Sequence, residues 1–125
     1  MAEDKKIRVL HADDEEDVLE VVRTLLESEG MEVESVTHGK KALERINEKE
    51  FDVILLDIMM PEMSGWDIFS RITKLRSDYK VAFLSVLEVS DKRLAELKAF
   101  GIKDYITKPF DADDLVQRVK KIAAT

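Results

Sequence analysis

Residues 53–67 read VILLDIMMPEMSGWD, and the fold follows from how this stretch is divided. Val53-Ile54-Leu55-Leu56 is a continuous apolar run, which suits a strand covered on both faces. Asp57 ends the run, and Pro61 and Gly65 break the chain beyond it. From Trp66 to Leu75 the spacing turns helical, with Ile68, Phe69, Ile72 and Leu75 on one inward face.

The same alternation extends in both directions. Upstream, Ile7 to Ala12 reads as a first strand. Glu16 to Glu29 then reads as a helix whose apolar face carries Val18, Leu19, Val21, Val22, Leu25 and Leu26. Gly30 follows where a helix end favours positive φ. Val33 to Val36 alternates weakly, as a sheet-edge strand does, and Ala42, Leu43 and Ile46 mark a short second helix. Downstream, Val81-Ala82-Phe83-Leu84 is another buried strand, and Asp91 to Phe100 a helix with Leu94 and Leu97 inward. Asp104-Tyr105-Ile106 predicts a short last strand. Asp111 then caps a helix carrying Leu115, Val116, Val119 and Ile122. Strands alternating with helices in this way predict an α/β fold, a parallel sheet wrapped on both sides. Right-handed crossovers narrow the order to a doubly wound one, 2-1-3-4-5.

The composition sets the outer bounds. A chain of 125 residues fits one domain, 1–125, and can bury a core without covalent staples. With no cysteine, disulfides and thiolate metal sites are excluded. No apolar run approaches the roughly 20 residues that cross a bilayer. The opening residues Met1 to Lys6 are charged, without a leader-like apolar stretch, and the expected location is the cytoplasm. A net charge of −7 and scattered basic residues argue against direct binding to DNA or another nucleic acid.

In a doubly wound sheet, sites form beyond the carboxyl ends of the strands, where the strand order reverses. The residues there are Asp13-Asp14-Glu15-Glu16 after the first strand and Asp57 after the third. Ser85 follows the fourth, and Thr107-Lys108-Pro109 the fifth. Convergence would bring together at least three carboxylates, a hydroxyl and an ammonium. Two like charges about 4 Å apart repel by roughly 4 kcal/mol at an effective dielectric of 20. A hard divalent cation removes that cost, and an all-oxygen site suits Mg²⁺.

Asp13-Asp14, Asp57 within LLDIMMPEMSGWD, Ser85 and Lys108-Pro109-Phe110 together resemble the receiver domain of two-component response regulators, over essentially the whole chain. The resemblance implies a flavodoxin-like (βα)5 fold and a signalling switch rather than an enzyme that turns over an external substrate. Asp57 would accept a phosphoryl group from a histidine kinase or phosphotransfer protein. Asp14 and Asp57 would bind Mg²⁺ directly, Asp13 mainly through water, and the Met59 carbonyl would supply a further ligand. Lys108 would pair with the phosphoryl oxygens and Ser85 hydrogen-bond to one of them. Ser85 and Tyr105 would form the switch. The fourth helix, fifth strand and last helix would meet a downstream protein, with the chain a monomer or a weak dimer once phosphorylated. It implies either a diffusible switch or a receiver excised from a longer regulator.

Three other readings compete. A flavin binder of the same fold would meet Asp13-Asp14-Glu15-Glu16 where its phosphate loop should be. An aspartate-nucleophile phosphatase lacks its Asp-x-Asp after the first strand. A degenerate receiver serving only as an interaction module would not need Asp57, both metal acids, Ser85 and Lys108 together. His11, where the family usually has an apolar residue, is expected to be half-buried and hydrogen-bonded, and His38 an exposed loop residue.

Two positions flank the acceptor's solvent side, Met59 and Leu87, and in several fast-cycling relatives both are polar. Here both are large and apolar, and Val86 stands where Ala or Gly is usual. An attacking water needs a path and a hydrogen-bond partner, and these side chains offer neither. The expected outcome is slow hydrolysis of phospho-Asp57. A Met59→Asn, Leu87→Glu double variant should lose its phosphoryl group faster than the parent, both in Mg²⁺. Equal lifetimes would refute this.

Overall fold

A computed structural model describes residues 6–125; the charged opening residues 1–5, on which the leader argument partly rests, lie outside that range. The elements alternate strictly: β1 (Arg8–Ala12), α1 (Glu16–Glu27), β2 (Glu32–Val36), α2 (Gly39–Glu48), β3 (Val53–Leu56), α3 (Gly65–Thr73), β4 (Val81–Ser85), α4 (Asp91–Ala99), β5 (Ile102–Thr107) and α5 (Ala112–Ala123). The strands form one parallel sheet in the order β2-β1-β3-β4-β5, the doubly wound flavodoxin-like arrangement expected. Among the described residues no helix is long and apolar enough to cross a membrane.

The pleat explains why β3 is apolar throughout. Side chains alternate between faces, so Val53 and Leu55 enter a core beneath α1 and α5, and Ile54 and Leu56 the opposite core against α2 and α3. All four are buried. β2, at the edge, buries only Val36 fully, in keeping with its weaker alternation.

Local chemistry sets the helix starts. Ser64 and Asp67 form a capping box on α3: Asp67 N–H donates to Ser64 Oγ (3.2 Å) and Ser64 N–H to Asp67 Oδ2 (3.0 Å). Asp111 caps α5 by accepting from Asp114 N–H at 3.0 Å, and Ser90 caps α4 by accepting from Arg93 N–H at 3.1 Å. His38 is exposed, as expected, and also caps α2: its Nδ1 accepts from Lys41 N–H at 3.4 Å. Glu15, at the N-cap of α1, makes no side-chain cap bond.

Several boundaries and faces differ from the sequence reading. Leu75, expected inward, is 60% exposed because α3 stops at Thr73, whose hydroxyl donates to the Phe69 and Ser70 carbonyls. Val21, assigned to the buried face of α1, is 50% exposed. At 3.6 residues per turn it lies about 130° from the centre of the face made by Leu19, Val22 and Leu26. β5 starts at Ile102 rather than Asp104. The β4–β5 register steps from Val81↔Ile102 to Ala82↔Asp104, so Lys103 is an extra residue that breaks the apolar pattern.

On the α3 side of the sheet an aromatic series crosses the core. The Trp66 and Phe83 rings are 4.9 Å apart, Phe83 and Tyr105 6.2 Å, and the Arg93 guanidinium of α4 lies 5.0 Å over Trp66. α4 is otherwise lightly held, with Leu97 its one buried residue and Leu94 packed at the margin.

The loop after β3 folds back so that Gly65 N–H donates to the Ile58 carbonyl (3.1 Å) and Gly65 lies against Asp57. A Cβ on Gly65 would stand 2.5 Å from the Asp57 carbonyl oxygen, well inside contact distance. Gly65→Ala should therefore destabilise, by about 1–3 kcal/mol for overpacking. Helix propensity alone would favour Ala by up to about 1 kcal/mol. Denaturant midpoints decide the sign, and a gain in stability would refute the contact.

Candidate functional site

β1 and β3 are neighbours in register, Ala12 opposite Leu56, so the residues that follow them emerge side by side. Asp57 N–H donates to the Ala12 carbonyl at 2.9 Å and Asp13 N–H to the Val36 carbonyl at 3.1 Å, which anchors both backbones to the sheet. Asp13 and Asp57 are buried, whereas Asp14 is exposed at the rim. One carboxylate oxygen from each of Asp13, Asp14 and Asp57 falls in a group whose members all lie within 4.8 Å of one another.

Lys108 enters from beyond β5. Its N–H donates to the Ser85 carbonyl (2.8 Å), and the Lys108–Pro109 peptide is cis. The ammonium donates to Asp13 Oδ2 at 2.6 Å, Glu15 Oε1 at 3.1 Å and Asp57 Oδ2 at 3.3 Å. The remaining oxygens are also engaged: Glu15 N–H donates to Asp13 Oδ1 at 2.9 Å and Met59 N–H to Asp57 Oδ1 at 3.1 Å.

The electrostatics are uneven. Burial, then the charge of Asp13, pushes the Asp57 carboxyl above its ordinary pKa, and Lys108 only partly offsets them. Burial also acts to raise Asp13, but the neighbouring His11, Lys108 and the Glu15 amide together hold it below the usual value. Burial would lower Lys108, yet its carboxylate partners outweigh that and raise it. Three carboxylates thus contact one ammonium, with Asp14 grouped beside two of them, an excess of hard anionic oxygen that fits a Mg²⁺-sized cation.

Most of the expected site residues come together here, and two further residues matter. Glu15 contributes a carboxylate to Lys108 (3.1 Å) that the sequence reading did not assign; its position directly after Asp13-Asp14 was the available signal. His11 departs from expectation: it is wholly buried rather than half-buried, and neither ring nitrogen has a hydrogen-bond partner among the described residues. Its nearest charge is Asp13 Oδ2, 3.8 Å from Nε2. The imidazole projects on the same face as Asp13, and burial, opposed by Asp13, lowers its pKa.

Ser85 and Tyr105 meet through one residue. Leu87 N–H donates to Ser85 Oγ at 3.4 Å, and Tyr105 Oη donates to the Leu87 carbonyl at 2.5 Å. Tyr105 is buried, while Met59, Val86 and Leu87 are exposed around the acceptor.

Comparison with known proteins agrees with this geometry. Residues 9–120 match the response regulator receiver domain family. The response regulator SaeR of Staphylococcus epidermidis is 35% identical over 116 residues, covering 93% of this chain and 50% of SaeR. The chain thus spans about half the length of the curated relatives it matches. Among solved structures, the receiver domain of Francisella response regulator 1452 superposes with a TM-score of 0.87 at 34% identity, covering 95% of this chain and 98% of that one. TrrA of Thermotoga maritima, solved in complex with Mg²⁺-BeF, gives 0.80 at 30% identity over 93% and 98% of the two chains. The chain belongs to the receiver domain family of two-component response regulators. Such domains are signalling domains, not turnover enzymes acting on external substrates.

Proposed function

We propose that this receiver is switched by phosphorylation of Asp57, with a histidine kinase or phosphotransfer protein as donor, in the cytoplasm. The observation that carries the reading is Asp57 itself, a buried carboxylate at a strand end, beside Lys108 and within reach of Asp13 and Asp14. In the transfer, a carboxylate oxygen of Asp57 forms the new P–O bond as the P–N bond of the donor phosphohistidine breaks, and the leaving imidazole takes up a proton. The reaction asks for positioning and charge neutralisation more than covalent assistance. Lys108 supplies an ammonium for the transferring oxygens. Met59 N–H orients the nucleophile by holding Asp57 Oδ1. Asp13, Asp14, Asp57 and the Met59 carbonyl would hold Mg²⁺, which when bound neutralises charge on the phosphoryl group.

Replacing Asp57 with Asn should abolish the mass gain of one phosphoryl group on incubation with a small phosphodonor and Mg²⁺, and leave the thermal unfolding cooperative. Chelating the metal should stop labelling of the parent. A variant that labels at the parental rate would assign the nucleophile to another carboxylate.

Output follows from the Leu87 bridge. Drawing Ser85 Oγ toward a phosphoryl oxygen breaks its bond from Leu87 N–H, and the carbonyl of the same residue holds Tyr105 Oη. The change is a shift between two packings, and α4, with one buried residue, is the element best able to follow. The α4-β5-α5 face is then the surface for a downstream protein, and the chain acts as a monomer or weak dimer without contacting DNA or membrane itself. Adding beryllofluoride and Mg²⁺ should shift amide resonances across Asp91–Ala99 and Ile102–Thr107 in the parent but not in Asp57→Asn. Shifts confined to the residues around Asp57 would contradict this output surface.

A further inference from the structure

We infer that His11 is a positioning residue for Asp13, and that its Nε2–H takes over Asp13 Oδ2 when Lys108 moves to the phosphoryl group. The inference rests on the reading of Asp57 as phosphoacceptor. Only three buried side-chain polar atoms among the described residues lack a hydrogen-bond partner: His11 Nδ1, His11 Nε2 and Ser35 Oγ. They are not scattered. His11 and Ser35 are register partners across β1 and β2, so their side chains project on the same face, and Val9 and Val33 two residues earlier pack into the same core. Buried polar groups in folded proteins are almost always paired, so an unpaired cluster beside a charged site calls for a cause.

The geometry gives one. Val9, His11 and Asp13 alternate onto a single face of β1, which aims Nε2 at the Asp13 carboxylate, 3.8 Å away. Closing that gap to hydrogen-bond length requires a movement of about 0.9 Å. The oxygen it faces, Oδ2, is the one that Lys108 holds at 2.6 Å, so at rest that oxygen already has a donor. A phosphoryl group on Asp57 draws Lys108 away and leaves a wholly buried carboxylate oxygen without its donor. The imidazole, held by the strand 3.8 Å from that oxygen, can supply one from Nε2–H. Ser35 Oγ, directly across on β2, is the group able to donate to Nδ1 and so fix the tautomer that carries hydrogen on Nε2. An apolar residue at position 11 could do none of this.

Three measurements on the full chain test the idea. In protein labelled with ¹⁵N in its imidazoles, beryllofluoride plus Mg²⁺ should move the His11 Nε2 resonance as a hydrogen bond forms. His11→Leu should keep or raise the thermal midpoint, since an unpaired buried imidazole becomes apolar, yet weaken beryllofluoride binding about tenfold. His11→Gln, which can donate from its amide, should recover part of that loss. An unmoved His11 resonance in a protein whose other resonances show Asp57-dependent binding would overturn the inference alone. So would a His11→Leu variant that loses stability but binds the mimic as the parent does. Failure of the parent to bind the mimic at all would overturn the acceptor reading and this inference with it.

Discussion

The ammonium of Lys108, 2.6 Å from Asp13, 3.1 Å from Glu15 and 3.3 Å from Asp57, joins three chain segments that are far apart in sequence. Without a cation among them, the acids that follow β1 and β3 would repel one another in a place poorly reached by water. The sheet creates that difficulty, because parallel strands in register deliver their carboxyl-end residues to the same edge. Lys108 relieves it from the far side, held by its own N–H to the Ser85 carbonyl. The structure thus carries a built-in tension, with more buried anion than resident cation. Any event that alters the charge on Asp57 must redistribute Lys108 among its partners. The acidic edge also accounts for Gly65: the loop that covers Asp57 packs backbone to backbone, where a side chain has no room.

Much of this was legible in the sequence because the strongest signals were local or strictly periodic. Val53 to Leu56 read as a strand covered on both faces, and Asp111 declared the start of the last helix. Polar residues at strand ends become a site as soon as a parallel sheet is accepted, which is why Asp13, Asp14, Asp57, Ser85 and Lys108 could be assembled before any coordinates. Val21 and Leu75 were misread because an apolar side chain near the margin of a helical face satisfies the pattern whether or not a neighbour covers it. Lys103 hid the start of β5, since one extra residue in a strand breaks a two-residue period. His11 was the largest departure. Sequence supplies a general expectation that buried imidazoles are paired, and only the register of β1 against β2 shows that its neighbour Ser35 is equally unpaired. The contact of Glu15 with Lys108 spans 93 residues, beyond any local pattern.

The division of rigidity within the fold matches its role. β1, β3 and β4 are buried along nearly their whole length and hold the groups at their carboxyl ends in fixed register. α4 stands apart, with one buried residue and a cation stacked on Trp66 as its main attachments. Elements with few buried contacts open and shift most readily. The fold thus combines a tightly held site with a lightly held helix beside it.

The aromatic series beneath that surface has a practical consequence. Trp66 is the sole tryptophan, and its indole lies between the Arg93 guanidinium, at 5.0 Å, and Phe83, which in turn meets Tyr105. Indole emission is sensitive to a cation over its face and to the packing of the rings beside it. The protein therefore holds a native fluorophore at the junction between its acidic site and the lightly packed α4, where a rearrangement of either can be followed optically, in real time, with no dye attached.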